Sequence, residues 1–336
     1  MILILGAVSF ILVLAAIALL SRSTPMTNRA DAAQSHLSLE EIPFNGVRTY
    51  QYLEQICALG RRPSGSEGMI AQQQMLEEHF EKLDAVVHRQ AFQYPHPQTG
   101  EPVPMTNLIV QWAPERSERV LLACHYDTLP HPLLDRRDPF GEFVGANDGG
   151  SGAAVLMELG HEMPKILDEH QQHFGVDFVF LDGEEFIFTQ RGGRYFVGSE
   201  FFSRQYDADQ LPYKSHYHWG LLLDMIGDAD LQIPQEANGL WWQDTKPLVQ
   251  EIYDIARRLG VREFMHRRGQ EVQDDHIMLH NVGKIPTIDL IDFDYPPWHT
   301  MGDTPDKCSA LSLAKVGWVV REWLKTVRPA DENSKN

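Results

Sequence analysis

The sequence predicts a single α/β domain with a central, mostly parallel mixed β-sheet flanked by helices on both faces. Short apolar runs alternate along the chain with amphipathic segments at helical spacing. Several runs are apolar at consecutive positions, which is typical of strands buried on both faces of a sheet. The chain shows no internal repeat and no Pro/Gly-rich linker that would divide this domain.

The individual elements follow from local patterns. The predicted strands are residues 108–112, 120–123, 176–181, 221–225 and 285–291. Ser66 is placed to cap a helix with apolar residues from Met69 to Leu83, and Ser151 is placed to cap a second helix. Apolar residues at helical spacing predict two further helices over residues 248–259 and 313–327.

The N-terminus has a different composition. Residues 2–20 carry no charge and are almost wholly apolar, close to the roughly 20 residues that a membrane-spanning helix needs. We interpret residues 1–21 as a transmembrane anchor or signal segment, 22–40 as a linker, 41–329 as the catalytic domain and 330–336 as a disordered tail. This predicts a membrane-anchored or exported, extracytoplasmic protein. Arg22 and Arg29 follow the apolar segment, and positively charged residues favour the cytoplasmic side of a membrane. This conflicts with export, so membrane orientation stays open.

Charge and cysteine content exclude several classes of protein. The 336-residue chain has 29 Lys and Arg against 47 Asp and Glu, a formal charge of -18, which argues against a nucleic-acid partner. Its three cysteines show no CxxC spacing, which excludes a cysteine zinc site and a disulfide-rich scaffold. A single disulfide bridge is left open.

Ionisable side chains follow the predicted strands. The carboxyl ends of strands in an open α/β sheet form its ligand crevice, so residues from distant segments can meet there. The candidates are His125, Asp148, Glu184, Glu185, Asp224 and His299.

The adjacent carboxylates Glu184 and Glu185 are the most informative pair, because they repel each other unless a cation or a shared proton compensates. A hydrolytic type of zinc site needs three ligands from His and Asp or Glu, an open position and a nearby carboxylate base. Asp148, Glu185 and His299 can supply the ligands and Glu184 the base. No Gly-x-Ser-x-Gly elbow and no phosphate-binding glycine loop is present.

These motifs resemble those of the zinc aminopeptidase and glutaminyl cyclase superfamily, in the family's order, over roughly residues 45–327. The segments that carry the resemblance are His125-Tyr126-Asp127, Gly145-Ala146-Asn147-Asp148, Asp182-Gly183-Glu184-Glu185, Leu223-Asp224, Asp274-Asp275-His276 and Trp298-His299-Thr300. The resemblance implies a zinc aminopeptidase-like fold and an enzyme that acts on the amino end of peptides or proteins.

Two details favour a glutaminyl-peptide cyclotransferase, which converts N-terminal glutamine into pyroglutamate and releases ammonia. They are the acidic doublet Asp274-Asp275 directly before His276 and the indole of Trp298 directly before His299. The resemblance then implies one zinc on the three ligands, Glu184 as proton shuttle, Asp224 and Asp274 as its carboxylate network, and Trp298 in the substrate pocket. Gln190 is a second candidate substrate-binding residue, because it stands where cyclases usually carry a tryptophan. Trp241 or Trp242 is a candidate replacement for that indole.

Two alternatives stay open at this stage. In a two-zinc aminopeptidase, His125 and Asp224 would hold a second ion, Asp148 would bridge both ions and Glu184 would activate water. In the other alternative, the domain is an inactive, membrane-tethered binding module. Oligomeric state is not predicted.

Overall fold

A six-stranded mixed sheet forms the centre of the molecule. The computed structural model describes residues 34–169, 174–189 and 192–327, and from Ser35 onward these belong to one compact unit. The strands are β1 (Val86–Pro95), β2 (Pro102–Trp112), β3 (Glu118–His125), β4 (Gly175–Leu181), β5 (Glu185–Thr189), β6 (Gly192–Tyr195), β7 (His216–Asp224), β8 (Ile233–Gln235), β9 (Phe264–Arg268) and β10 (Thr287–Ile291). The order across the sheet is β1-β2-β4-β3-β7-β10.

Helices connect and cover these strands. They are α1 (Gly46–Ala58), α2 (Glu67–Glu81), α3 (Ser151–Gly160), α4 (Met163–Glu169), α5 (Val197–Asp207), α6 (Ala237–Trp241), α7 (Lys246–Leu259), α8 (Asp275–Asn281) and α9 (Ala310–Thr326), with 3-10 turns at Leu39–Glu41 and Pro305–Lys307. The prediction of one α/β domain with a mixed sheet is confirmed. Strands β4, β3, β7 and β10 run parallel, whereas β2 pairs antiparallel with both β1 and β4.

Both faces of the sheet are buried, as the continuous apolar runs predict. Along β3, Val120 and Leu122 join the core beneath α1, α2, α3, α7 and α9, while Leu121 and Ala123 join a second core beneath α5 and α8. Every residue of β4 is buried. Strand alternation therefore divides one hydrophobic sequence between two cores.

The two predicted serine caps have different outcomes. Ser66 caps α2, since its side chain accepts a hydrogen bond from the Met69 amide. The prediction for Ser151 is wrong, because Ser151 is the first residue of α3 and does not cap it. Its hydroxyl donates to the Asn147 carbonyl at 2.6 Å and accepts from the Ile226 amide at 3.1 Å. Ser151 thus ties the loop before α3 to the segment after β7.

The predicted membrane location requires correction. No helix within residues 34–169, 174–189 and 192–327 is long and apolar enough to cross a membrane. The longest of them, α9, has 17 residues and spans about 26 Å, less than the roughly 30 Å of the hydrocarbon layer. The expectation of a membrane-anchored or exported protein is therefore not retained. The segment on which it was based, residues 1–21, and the predicted tail, residues 330–336, lie outside the described residues.

Candidate metal centre

The carboxyl ends of the parallel strands bring the predicted site residues together. His125 is the last residue of β3 and Asp224 is the last residue of β7. Glu184 lies in the turn after β4, and Glu185 begins β5. Because β3 pairs with β4 on one side and β7 on the other, these ends share one edge of the sheet. Two loops complete the site: the loop before α3 and the loop after β10.

Asp148, Glu185 and His299 converge within that edge. The Nε2 atom of His299 lies 2.8 Å from Glu185 Oε1 and 3.6 Å from Asp148 Oδ2. One ligand atom from each residue lies within 4.8 Å of the other two, and all three residues are buried. Neither of these two carboxylate oxygens accepts a hydrogen bond from any residue that the structure describes.

This donor set fits a zinc ion. Buried carboxylate oxygens without donors carry a large desolvation cost, which a divalent cation removes. Burial lowers the pKa of His299 to about 3, so its imidazole is neutral and can act as a ligand. Two carboxylates and one imidazole with an open fourth position provide the three protein ligands that a catalytic zinc requires.

Glu184 lies beside these ligands. Its Oε2 atom is 4.0 Å from His125 Nδ1, and its side chain is almost fully buried. Burial raises the pKa of Glu184 well above its ordinary value; the His125 charge opposes this shift, and the Glu185 and Asp274 charges add to it. A raised pKa makes the Glu184 carboxylate a stronger proton acceptor, which suits it to proton transfer.

His125 lies between Asp148 and Asp224 and contacts both carboxylates. Its Nε2 atom lies 3.1 Å from Asp224 Oδ1 and 3.2 Å from Asp148 Oδ1. Burial opposes its protonation, but the Asp224 charge and the neighbouring carboxylates outweigh burial, and the pKa of His125 lies well above its ordinary value. His125, Asp148 and Asp224 form a second group with metal-ligand spacing. In this structure the imidazole also contacts both carboxylates at hydrogen-bond distance.

Two further aspartates position the ligand-bearing segments. The carboxylate of Asp127 accepts the Glu184 amide at 3.1 Å and the Glu185 amide at 3.0 Å. It also lies 3.7 Å from His125 Nδ1. On the other side, Asp303 accepts the Asn147 amide at 2.9 Å and the Asp148 amide at 3.1 Å. Sequence reasoning missed Asp303, because an acidic residue in a turn shows no pattern that identifies its distant donors.

Asp274 lies at the start of α8. Its side chain accepts the Asp275 amide at 2.5 Å and so caps the helix. Burial raises its pKa well above the ordinary value, and the charges of Asp224 and Asp275 add to the shift. Asp289 and His276 lie close to it, with one polar atom of each residue within 4.8 Å of the others, and their side chains are buried without hydrogen-bond partners among the described residues. The charged residue inside the apolar run of β10 was the available signal for Asp289, and sequence reasoning missed it.

The structure places only some of the candidate pocket residues next to the metal ligands. The rings of Trp298 and His299 lie 4.0 Å apart at 32°, so Trp298 packs on the candidate ligand. His299 has a left-handed backbone with φ of 55°, a strained conformation that is concentrated at functional sites. Trp242 stacks on His280 with centroids 3.7 Å apart, and Trp241 lies under the Arg268 guanidinium. Gln190 lies outside the described residues.

The cysteines take no part in this site. Cys57, Cys124 and Cys308 are buried, free thiols. Burial strongly raises the pKa of Cys124, so it is not a thiolate nucleophile. The disulfide left open by the sequence does not form between these residues.

A mixed sheet covered by helices, with two carboxylates and an imidazole converging at its parallel strand ends, defines a metal-dependent α/β enzyme. The protein belongs to peptidase family M28, whose family model matches residues 107–324. Its resemblance to the zinc glutaminyl cyclase and aminopeptidase superfamily is confirmed, and so is its dependence on zinc.

Similar proteins include both enzyme types. The crystal structure of Fimbriiglobus ruber glutaminyl cyclase is 37% identical, with a TM-score of 0.79 over 85% of this protein and 96% of that one. A leucine aminopeptidase precursor from Bacteroides thetaiotaomicron is 26% identical, with a TM-score of 0.77 over 85% of this protein and 98% of that one. The glutaminyl-peptide cyclotransferase-like protein of Mus musculus is 25% identical over 262 residues, which are 72% of this protein and 66% of the mouse protein.

Proposed function

We propose that this protein is a zinc-dependent glutaminyl-peptide cyclotransferase, which converts the N-terminal glutamine of peptides to pyroglutamate and releases ammonia. The observation that carries the proposal is the convergence of Asp148, Glu185 and His299 beside the raised-pKa carboxyl of Glu184. The glutaminyl cyclases and glutaminyl-peptide cyclotransferases among its relatives support this chemistry.

In the proposed site Asp148, Glu185 and His299 hold one zinc ion. When bound, zinc polarises the γ-carbonyl of the substrate glutamine and stabilises the negative charge that develops on its oxygen. Support for a single ion comes from the hydrogen-bond pattern. Asp148 Oδ2 and Glu185 Oε1 lack donors among the described residues, whereas His125 Nε2 and Asp224 Oδ1 pair with each other at 3.1 Å.

Glu184 carries the proton in this mechanism. Its carboxylate takes a proton from the substrate α-amine as the amine nitrogen attacks the γ-carbonyl carbon, and it delivers a proton to the amide nitrogen that leaves as ammonia. The bond between the α-nitrogen and the carbonyl carbon forms, and the bond between that carbon and the amide nitrogen breaks, so the reaction needs no water. In this proposal Asp224 and Asp274 form the carboxylate network that orients Glu184 and accepts hydrogen bonds from the substrate amine. Trp298 forms an apolar wall of the pocket next to His299.

The proposed substrate is held for an intramolecular reaction. Its amine and its γ-carbonyl belong to the same residue, so a pocket that fixes both groups provides the proximity effect without a second substrate. Because only the first residue must enter the pocket, peptide and protein N-termini are the proposed partners.

Product analysis tests the proposal. The full-length protein is incubated separately with peptides that begin with Gln and with Leu, and the products are identified by mass spectrometry. Loss of ammonia from the Gln peptide with an intact Leu peptide is expected. Release of free leucine would instead identify an aminopeptidase, and two unchanged peptides would contradict both activities. His299→Ala is the matched control, because the same assay without the ligand should give no product.

A further inference from the structure

Far from the candidate metal centre, three residues with metal-binding chemistry meet at the other end of the same strands. Glu118 is the first residue of β3, and its partner in the register is His216, the first residue of β7. His218 follows two residues later. The Nδ1 atom of His216 lies 3.0 Å from Glu118 Oε2, and the Nε2 atom of His218 also contacts this oxygen.

A β-bulge brings the second histidine into this group. The register passes from Arg119 opposite Tyr217 to Val120 opposite Trp219, so His218 has no partner on β3. Such an extra residue re-aims the side chains of the bulged strand. The rings of His216 and His218 lie 4.7 Å apart at 77°, and the edge of Phe174 packs against His218 with centroids 5.1 Å apart.

We propose that Glu118, His216 and His218 form a second metal site, which binds a divalent transition cation through two imidazole nitrogens and one carboxylate oxygen. Their ligand atoms lie within 4.8 Å of one another. This mixed nitrogen and oxygen set suits Zn²⁺, Ni²⁺ or Cu²⁺, whereas Mg²⁺ and Ca²⁺ prefer oxygen ligands. The inference goes beyond the proposed function, and neither depends on the other.

Exposure and charge fit an exchangeable site. The side chains of His216 and Glu118 are 64% and 51% exposed, and that of His218 is 16% exposed. A cation can therefore reach the site from solvent, and three protein ligands leave an open coordination position. The overall charge of -18 favours cations generally.

The site lies apart from the catalytic end of the sheet. Glu118 and His125 are the two ends of β3, which has eight residues, so they are about 23 Å apart at roughly 3.3 Å per residue. Changes at Glu118, His216 or His218 should therefore leave peptide turnover unaltered, and loss of turnover would say nothing about this site.

Metal titration of the full-length protein tests the inference. The protein is first loaded with one equivalent of zinc and then titrated calorimetrically with ZnCl₂ and, separately, NiCl₂. One further equivalent should bind. His218→Ala removes one of the two imidazole ligands and should weaken this step by at least the roughly 10- to 100-fold that loss of a ligand-orienting group causes, and His216→Ala should act alike. His36→Ala, which removes a histidine outside this cluster, is the matched control and should bind as the wild type does.

Two results would overturn the inference. One is the absence of a further binding step. The other is a step that keeps the wild-type affinity in both His216→Ala and His218→Ala, which would indicate binding to the acidic surface alone. Electron paramagnetic resonance of bound Cu²⁺ separates these cases directly: the proposed site predicts nitrogen hyperfine structure from two imidazoles, reduced to one in His218→Ala, whereas a purely oxygen-ligated spectrum would contradict it.

Discussion

Asp303→Asn should reduce zinc affinity without touching a ligand. The carboxylate of Asp303 accepts two backbone amides, Asn147 at 2.9 Å on Oδ1 and Asp148 at 3.1 Å on Oδ2, and the Tyr295 hydroxyl donates to Oδ1 at 2.7 Å. Asparagine has one acceptor oxygen, so it can retain the two donors at Oδ1 while its NH₂ group faces the Asp148 amide. The ligand-bearing residue then loses its support.

The size of the effect follows from burial. Asp303 is fully buried, and an unpaired buried donor costs about 1 to 3 kcal/mol. Groups that orient metal ligands typically change metal affinity about 10- to 100-fold. We therefore expect the free energy of unfolding to fall by about 1 to 3 kcal/mol and the zinc dissociation constant to rise about 10- to 100-fold.

Chelator competition and urea unfolding measure the two quantities on the same preparations. Tyr295→Phe is the graded control, since it removes one donor to Asp303 but leaves both backbone amides bonded, and its zinc affinity should lie near that of the wild type. Unchanged zinc affinity in Asp303→Asn, with the expected loss of stability, would refute the positioning role. Equal losses of affinity in the two variants would show that general loosening of the loop is the cause.

Three other perturbations test separate parts of the structure. The Arg119 guanidinium is fully buried and paired with Asp177, so Asp177→Ala leaves it without its counter-charge. We expect the free energy of unfolding, measured by chemical denaturation, to fall by about 3 to 5 kcal/mol. A fall below about 1 kcal/mol would contradict this. Asp289→Asn should stabilise the protein increasingly as pH rises from about 4 to 8, because burial raises the pKa of Asp289 well above its ordinary value, so the folded state retains a proton that the unfolded protein releases. Each unit by which the pKa of Asp289 in the folded state exceeds its pKa in the unfolded state destabilises the wild type by about 1.4 kcal/mol. Urea unfolding at the two pH limits measures the stability of both proteins. A stability advantage of Asp289→Asn that is the same at both limits would contradict the raised pKa. Trp298→Ala should raise the KM for a Gln peptide about tenfold, equivalent to about 1.4 kcal/mol, through loss of the ring that packs on His299; Trp298→Phe should restore most of the affinity in steady-state kinetics, and a wild-type KM in the alanine variant would exclude Trp298 from the pocket.

The parts of the fold that the sequence predicted are those with strong local patterns. The run at 176–181 is apolar at nearly every position, and β4 is buried throughout. In contrast, β1 (Val86–Pro95) was not predicted, because this edge strand has partly or fully exposed residues throughout and, within the part of the chain that the structure describes, pairs only with β2. The hairpin of β5 and β6 was also missed. Its first strand begins at Glu185, where the sequence indicates a metal ligand but no strand.

The candidate site divides in the same way. The ends of neighbouring parallel strands coincide in space, so His125, Glu184 and Asp224 could be placed together from sequence. The roles of Asp303 and the cluster of Glu118, His216 and His218 could not. The contacts of Asp303 are set by the path of loops between distant segments, and the cluster depends on the bulge at His218.

Zinc content and turnover measured together in one variant, Glu184→Gln, test the proposed role of the site most directly. The amide of glutamine keeps the size of the side chain but cannot take up and release a proton. The ligands Asp148, Glu185 and His299 are unchanged. We expect the same zinc content as in the wild type, with cyclisation of a Gln peptide slowed by about 100- to 10,000-fold. Wild-type cyclisation with zinc bound would contradict the role of Glu184, and loss of zinc would show that Glu184 belongs to the ligand set.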